Sequence, residues 1–142
     1  MTPQQVQMVQ ETFELVAPIA PTAAALFYER LFTLDPSLRP LFRTNLEGQG
    51  KKLMAALALV ARGLDRPEQI MAAVRHLGQR HVGYGVQPED YETVGEALLW
   101  TLEQGLGDAF TDEVAEAWAA AYALLTDLML EAAQEMELAV GL

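Results

Sequence analysis

The sequence predicts an all-α domain of six or seven helices joined by short turns. Apolar residues recur every three or four positions through most of the chain, which is the period of one face of a helix. Prolines and glycines separate these periodic segments, and no segment alternates apolar and polar residues as a half-buried strand does. With 142 residues, 51% of them apolar, the chain is long enough to bury one core. We therefore expect residues 1–142 to form a single helical domain.

The N-terminal segment is expected to form two helices. The sequence TPQQ at residues 2–5 has the form of a capping box, with proline at the first helical position. Pro18 and Pro21 are expected to end this first helix, because proline disrupts a helix interior. A second helix is expected to open at Thr22 and to carry Tyr28 on its inward face.

A proline-rich corner and a third helix follow. The stretch DPSLRPLF, residues 35–42, is expected to form one or two tight turns that end at Phe42. Residues 43–48 are expected to form a loop, and a helix is expected from about Gln49 to Leu64. Gln49 and Leu53 lie four positions apart near its start, so they share one face.

The fourth predicted helix carries one of the two histidines of the chain on its apolar face. The stripe on this face consists of Ile70, Val74 and Leu77. The next position of the stripe is His81, which is therefore expected to point inward from the last turn. His76 lies about 140° away around the helix and is expected to face solvent.

Two more helices complete the predicted domain. One is expected to begin near Pro88 and to carry Tyr91 and Val94 on its apolar face. The last is expected to follow a Thr111 cap. Its expected inner face consists of Val114, Trp118, Ala121 or Tyr122, Leu125 and Met129.

The composition excludes several classes of site. Without cysteine the chain has no disulfide, no thiolate-held iron–sulfur cluster and no Cys-ligated haem. The N-terminus lacks the basic and apolar regions of a secretory signal. The longest apolar run, LMAALALVA from Leu53, is far shorter than the about 20 residues that span a membrane. We therefore expect a cytoplasmic protein without a membrane span.

The charges are distributed unevenly along the chain. The net charge of −11 argues against nucleic acid as a partner. All the basic residues lie within residues 30–80, whereas most of the acidic residues lie outside that segment. This pattern has two interpretations, which are an unevenly charged solvated surface and a middle segment that meets an anionic ligand.

An inward histidine also has two interpretations. It can be a core residue satisfied by a hydrogen bond, which is the commoner case, or a metal ligand. The C-terminal end of a helix favours a protonated imidazole, but apolar surroundings disfavour that charge. An iron resolves the conflict because it binds the lone pair of a neutral ring. Since the chain offers one inward histidine and no cysteine, a prosthetic group such as haem would have to supply the other ligands.

Other side chains could complete such a site. Tyr28 and Gln49 would supply hydrogen-bond donors, and Phe42, Leu53 and Val94 would supply apolar walls. Taken singly, residues such as Phe42, Leu53 and Val94 are more often ordinary core residues, and one such as Gln49 is more often a surface residue.

Taken together, these motifs resemble those of single-domain bacterial haemoglobins and of the globin domain of flavohaemoglobins. The similarity covers roughly residues 3–129. The matching stretches are LFYERLF (residues 26–32), RPLF (39–42), QGKKLM (49–54), LGQRHVGYGVQPEDYETVGEALL (77–99) and AWAAAY (117–122). The resemblance implies a globin fold around a haem pocket, with haem b as the cofactor.

The resemblance also implies roles for individual residues. His81 corresponds to the proximal iron ligand, and Tyr28 and Gln49 correspond to the distal residues that act on the bound gas. Leu53 corresponds to the apolar residue over the iron, and Phe42 to the residue that packs on the haem ring. The further haem contacts that it implies are Lys52 and Arg80 near the propionates, Val86, Tyr91 beside the proximal ring, and Val94.

One position departs from the family pattern. Flavohaemoglobins carry a glutamate on the last helix that completes a hydrogen-bonded trio with the proximal histidine and tyrosine. By spacing from Trp118, this position is Ala133 here. The absence of that carboxylate argues against strongly peroxidase-like chemistry. We predict instead that the ring N–H of His81 donates to the backbone carbonyl of Leu77.

The resemblance implies reversible dioxygen binding at a five-coordinate, His-ligated iron, for transport or storage. The alternative is nitric oxide dioxygenation, for which the chain would need a separate reductase because it contains no glycine-rich dinucleotide loop. The expected ligands are dioxygen, nitric oxide and carbon monoxide. A third interpretation, from another class, is a haem-free helical signalling module or a haem gas sensor.

Overall fold

The protein is an assembly of six α-helices and three short 3-10 turns in a computed structural model that describes residues 1–42, 45–83 and 87–141. No strand occurs in these ranges, which confirms the all-α prediction. The helices are α1 (Pro3–Val16), α2 (Ala20–Leu34), α3 (Leu46–Gly63), α4 (Pro67–Gly83), α5 (Asp90–Leu106) and α6 (Asp112–Gly141). The 3-10 turns are Ala17–Ile19, Pro36–Leu41 and Gly107–Ala109.

The start of α1 confirms the predicted capping box. The Thr2 hydroxyl accepts a hydrogen bond from the Gln5 backbone N–H at 3.1 Å, and the Gln5 side chain accepts one from the Thr2 backbone N–H at 2.9 Å. Two backbone donors that the first turn leaves unpaired are thereby satisfied.

The predicted start of the second helix was wrong by two residues. α2 begins at Ala20, so Pro21 lies inside its first turn and does not close the preceding helix. Proline is tolerated there because the first turn has no intrahelical acceptor for its missing N–H. The 3-10 turn Ala17–Ile19, which contains Pro18, makes the actual break between α1 and α2.

The predicted loop at residues 43–48 was also too long. α3 begins at Leu46, because the Asn45 side chain accepts a hydrogen bond from the Gly48 backbone N–H at 2.7 Å and caps the helix. Because α3 begins at Leu46, Gln49 is the fourth residue of the helix and not its first.

The remaining boundaries agree closely with the sequence pattern. α4 begins at Pro67, and α5 begins two residues after the expected Pro88. The Thr111 hydroxyl accepts a hydrogen bond from the Val114 backbone N–H at 3.2 Å, which confirms the predicted cap of α6. His76 is exposed, as predicted.

The helices pack around one apolar core to which all six contribute. The most extensive pairing in the described chain is that of α4 with α6, and α2 packs against both α3 and α5. A buried hydrogen bond of 2.8 Å from the Trp118 indole N–H to the Thr12 hydroxyl joins α6 to α1 inside this core. α2, α3 and the 36–41 corner pack together, and α4 packs mainly on α6.

Candidate functional site

His81 lies on the last turn of α4 and is half-buried, as the apolar stripe predicted. Its Nδ1 donates a 2.6 Å hydrogen bond to the backbone carbonyl of Leu77, one turn earlier. A carbonyl only accepts, so Nδ1 carries a proton, and in the neutral ring the lone pair then lies on Nε2. The predicted partner of the His81 ring N–H is confirmed, and the ring is oriented as a metal ligand requires.

The surroundings of His81 favour a neutral ring. Burial is the main reason that the pKa of His81 lies below its ordinary value, and the positive charge of Arg80 lowers it further. The hydrogen bond to Leu77 opposes these effects without reversing them. A neutral imidazole is the form that binds a metal ion.

Tyr91, on α5, lies beside the His81 ring. The two ring centroids are 6.3 Å apart and the ring planes are inclined by 32°. Tyr91 is buried, and this burial raises the pKa of its hydroxyl. The Tyr122 hydroxyl, on α6, donates a 2.6 Å hydrogen bond to the Tyr91 backbone carbonyl. α6 therefore holds the part of α5 that carries Tyr91.

Tyr28 lies in an aromatic cluster between α2 and the 36–41 corner. Tyr28 is only 4% exposed. Its ring contacts the Phe42 ring edge to face, with the ring centroids 5.3 Å apart, and stacks on the Phe32 ring, with the centroids 6.1 Å apart. Burial raises the pKa of Tyr28 to about 12. Tyr28 therefore keeps its proton at neutral pH, and its hydroxyl can donate a hydrogen bond.

The corner that carries Phe42 is held by Arg39. The Arg39 guanidinium donates a 3.2 Å hydrogen bond to the Phe42 backbone carbonyl and lies 5.5 Å from the centre of the Phe32 ring. Phe32 in turn contacts Phe42 edge to face at 5.5 Å. This role of Arg39 was not predicted from the sequence, although its place within the RPLF stretch is a signal that could have revealed it.

The first turns of α3, which carry Gln49 and Leu53, pack against α2 near Tyr28. Gly50, which follows Gln49, is buried against α2, where a Cβ atom would stand 2.9 Å from Ala24 Cβ and 3.8 Å from the Tyr28 ring. Gln49 is half-buried, and Leu53 packs against the core. The close contact between α3 and α2 therefore sets how near these residues lie to Tyr28.

The other expected haem contacts have more varied positions. Lys52 and Arg80 are exposed, as propionate partners at a pocket mouth would be, and Val94 is half-buried against the core. Val86 lies outside the described residues. The structure thus brings Tyr28 into contact with Phe42 near the start of α3, and His81 into contact with Tyr91 between α4 and α5.

These residues fit a haem iron better than a metal ion held by protein alone. Within the described ranges, no group of three or more His, Cys, Asp or Glu side chains is arranged to hold a metal ion. A haem needs only one strong protein ligand, because the porphyrin supplies four nitrogens. The neutral, oriented imidazole of His81 is suited to that part.

The Globin family model matches residues 25–129. The chain belongs to the globin family. This membership implies haem binding, and it confirms the family resemblance and the fold expected from the sequence. No helix in the described part of the chain combines the length and apolar character needed to cross a membrane.

The sequence relatives are flavohaemoproteins. The flavohemoprotein of Vibrio cholerae is 31% identical over 134 residues, which are 92% of this chain and 34% of that protein. The flavohemoprotein of Xylella fastidiosa strain Temecula1 is 35% identical over 131 residues, which are 90% of this chain and 33% of that protein. The chain thus spans about a third of the length of these curated relatives.

Solved structures show the same fold. An engineered carbene transferase from Rhodothermus marinus, described as a candidate nitric oxide dioxygenase, superimposes with a TM-score of 0.90 at 29% identity, covering 100% of this chain and 99% of that one. A bacterial globin from Campylobacter jejuni superimposes with a TM-score of 0.85 at 23% identity, covering 96% and 99% of the two chains. The second likeness is one of fold alone.

Proposed function

We propose that this globin binds dioxygen reversibly at the iron of a haem b held by His81. The observation that carries the proposal is the state of His81, which is half-buried, neutral and oriented by Leu77. An imidazole in this state could hold a ferrous haem iron through Nε2, and the haem would supply the binding site for a gas. Phe42, Leu53, Val86 and Val94 would form the apolar contacts of the haem, and Lys52 and Arg80 would pair with its propionates.

Tyr28 is proposed as the main donor to bound dioxygen, with Gln49 as the second. Dioxygen on ferrous iron carries partial negative charge, which a fixed hydrogen-bond donor stabilises. The Tyr28 side chain lies in a buried aromatic cluster and keeps its proton, and the neighbouring rings of Phe32 and Phe42 fix its position. This arrangement supports slow release of the bound gas.

The absorption spectrum of the reduced protein tests the haem proposal. The haem band should shift when dioxygen or carbon monoxide is added, and it should be lost in His81→Ala. A His81→Ala protein that keeps both its haem and an unchanged spectrum would overturn the proposal.

The dioxygen dissociation rate tests the role of Tyr28. Tyr28→Phe should raise this rate by about 10- to 100-fold, which corresponds to the loss of a hydrogen bond to a charged acceptor. Thr101→Val is the matched control, because it also removes one hydroxyl from a buried residue. The Thr101 hydroxyl donates a 2.8 Å hydrogen bond to the Ala97 carbonyl of its own helix. Equal rates in the two variants would exclude the proposed role of Tyr28.

Nitric oxide dioxygenation is the second candidate. It is favoured by the flavohaemoprotein relatives and by the candidate nitric oxide dioxygenase from Rhodothermus marinus. Repeated turnover would require a reductase that returns the iron to the ferrous state. Sustained nitrate formation from nitric oxide and dioxygen with a reductase from the same cell would favour this function. A single turnover would favour dioxygen binding.

A further inference from the structure

Gly78, on α4, lies directly against the backbone of Met129, on α6. A Cβ atom at residue 78 would clash with the Met129 carbonyl oxygen and stand 2.7 Å from the Met129 Cα. Nonbonded heavy atoms pack at about 3.5 Å or more, so a side chain here would push the helices apart by roughly 1 Å. The obstacle is backbone, so no change of side-chain rotamer can relieve it.

The same turn of α4 orients the His81 ring. The carbonyl of Leu77, the residue before Gly78, accepts the 2.6 Å hydrogen bond from His81 Nδ1. Residues 77–81 therefore rest on α6 at Gly78 and hold the imidazole through Leu77. A displacement of this turn moves the acceptor and the ring together.

The pairing of α4 with α6 leaves little room for such a displacement to be absorbed. It is the most extensive helix pairing in the described chain. Val74, one turn before Gly78, is 1% exposed, and on α6 Met129 is 5% exposed and Ala132 is fully buried. Tightly packed interiors transmit a shift of this kind to neighbouring residues.

The other helical glycines show that Gly78 is unusual. A Cβ atom at Gly63 would meet the Ile70 side chain, which can change its rotamer. A Cβ atom at Gly105, on α5, would make only ordinary contacts, the nearest at 3.5 Å with Ile19. Gly105 therefore offers the same substitution without the clash.

We propose that Gly78 is a positioning residue for the iron ligand: its contact with Met129 sets the depth of the 77–81 turn and so the geometry of the bond between His81 and iron. The inference rests on the proposed haem function. According to this inference, the close contact between the backbones of α4 and α6 supports the histidine that binds the iron.

Resonance Raman spectroscopy of the reduced, ligand-free protein provides the first test, because the iron–histidine stretching band reports this bond directly. Gly78→Ala should shift the band and speed haem loss by about tenfold or more, as loss of support for a ligating histidine does. Gly105→Ala should change neither property. An unshifted band in Gly78→Ala would overturn the proposal.

A second test separates the ligand from α4. In His81→Gly supplied with free imidazole, the ligand to iron has no covalent link to the helix. Adding Gly78→Ala to this protein should leave the iron–imidazole band where it was. A shift of the same size as in the histidine-containing protein would show that Gly78 acts by another route and would overturn the proposal.

The unsubstituted haem-bound protein gives a third measurement, which decides the matter even where Gly78→Ala does not fold. Backbone amides of residues 77–81 should exchange with solvent deuterium as slowly as those of the buried α5 segment 97–102. Faster exchange at 77–81 would contradict a rigid contact at Gly78. The proposed function fails separately, since an unsubstituted protein that binds no haem refutes it before any variant is made.

Discussion

The hydroxyl of Tyr122, on α6, donates a 2.6 Å hydrogen bond to the backbone carbonyl of Tyr91, on α5. The Tyr122 ring also packs against Gly95, where a Cβ atom would stand only 2.7 Å from the ring. The Tyr122 side chain thus contacts α5 at two positions one turn apart, Tyr91 and Gly95. The first of these, Tyr91, is the residue whose ring lies beside His81.

Replacement of Tyr122 by phenylalanine should lower the free energy of unfolding by about 1 kcal/mol, because it removes this hydrogen bond and keeps the ring. The measurement is urea denaturation followed by circular dichroism. The iron–histidine stretching band should change little, since the bond supports α5 and not α4. An unaltered denaturation midpoint would show that the hydrogen bond contributes nothing.

The position of His81 is the part of the site that the sequence predicted best. The stripe of Ile70, Val74 and Leu77 placed the ring inward, and the alanine at position 133, where the family carries a glutamate, led to the prediction of Leu77 as its acceptor. Both relationships join residues within three turns of one helix. Local periodicity is sufficient for such relationships.

Relationships between helices were not predictable in this way. The contact between Gly78 and Met129 joins residues far apart in the sequence, and only the packed structure shows that the glycine faces backbone. The boundary errors at Pro21 and Leu46 have a different cause. Proline in a first turn and asparagine as a cap are compatible with a helix start as well as with a loop, so composition alone does not separate them.

Removing the buried hydrogen bond between Thr12 and Trp118 should lower the free energy of unfolding more than removing the buried hydrogen bond between Thr101 and Ala97. The Thr12 hydroxyl accepts from the Trp118 indole N–H at 2.8 Å and donates to the Met8 carbonyl at 2.6 Å. Thr12→Val leaves the buried indole N–H without an acceptor, which should cost about 1–3 kcal/mol.

Thr101→Val is the matched control for this measurement. Thr101 is also buried, and its hydroxyl donates only to the Ala97 carbonyl at 2.8 Å, so the expected loss is below about 1 kcal/mol. Urea denaturation of the two variants under the same conditions gives the comparison. Equal losses would mean that the Trp118 hydrogen bond adds no stability.

The contact between Gly50 and Ala24 should behave as a steric pair. Gly50→Ala places its Cβ 2.9 Å from Ala24 Cβ and should cost about 1–3 kcal/mol of overpacking, more than the roughly 1 kcal/mol that alanine gains in a helix. Adding Ala24→Gly removes the obstructing methyl group and should recover at least about 1 kcal/mol.

The double variant Gly50→Ala/Ala24→Gly separates this explanation from helix propensity. Propensity alone makes Ala24→Gly a further loss of about 1 kcal/mol, so the two changes would add. If the two residues instead clash sterically, Ala24→Gly should raise the free energy of unfolding that Gly50→Ala has lowered. The measurement is the free energy of unfolding of both single variants and of the double variant, and simple additivity would refute the contact.

Alkaline titration should reveal the burial of Tyr28. Its pKa is about 12 in the folded protein and about 10 in the unfolded chain, so the folded state holds the proton more tightly. The contribution to stability is therefore complete below pH 10 and is lost as the pH rises through 12, by up to roughly 3 kcal/mol. Burial raises the pKa values of Tyr91 and Tyr122 as well, so all three hydroxyls act in the same direction.

Tyr28→Phe isolates the contribution of Tyr28, because phenylalanine has no proton to lose. The free energy of unfolding, measured from pH 9 to pH 12, should fall less steeply in this variant than in the unsubstituted protein. Phenolate absorbance of the folded protein should show the corresponding late ionisation. Parallel curves for the two proteins would mean that Tyr28 ionises as freely in the folded state as in the unfolded one, and that its hydroxyl is in contact with water and not buried beside Phe42.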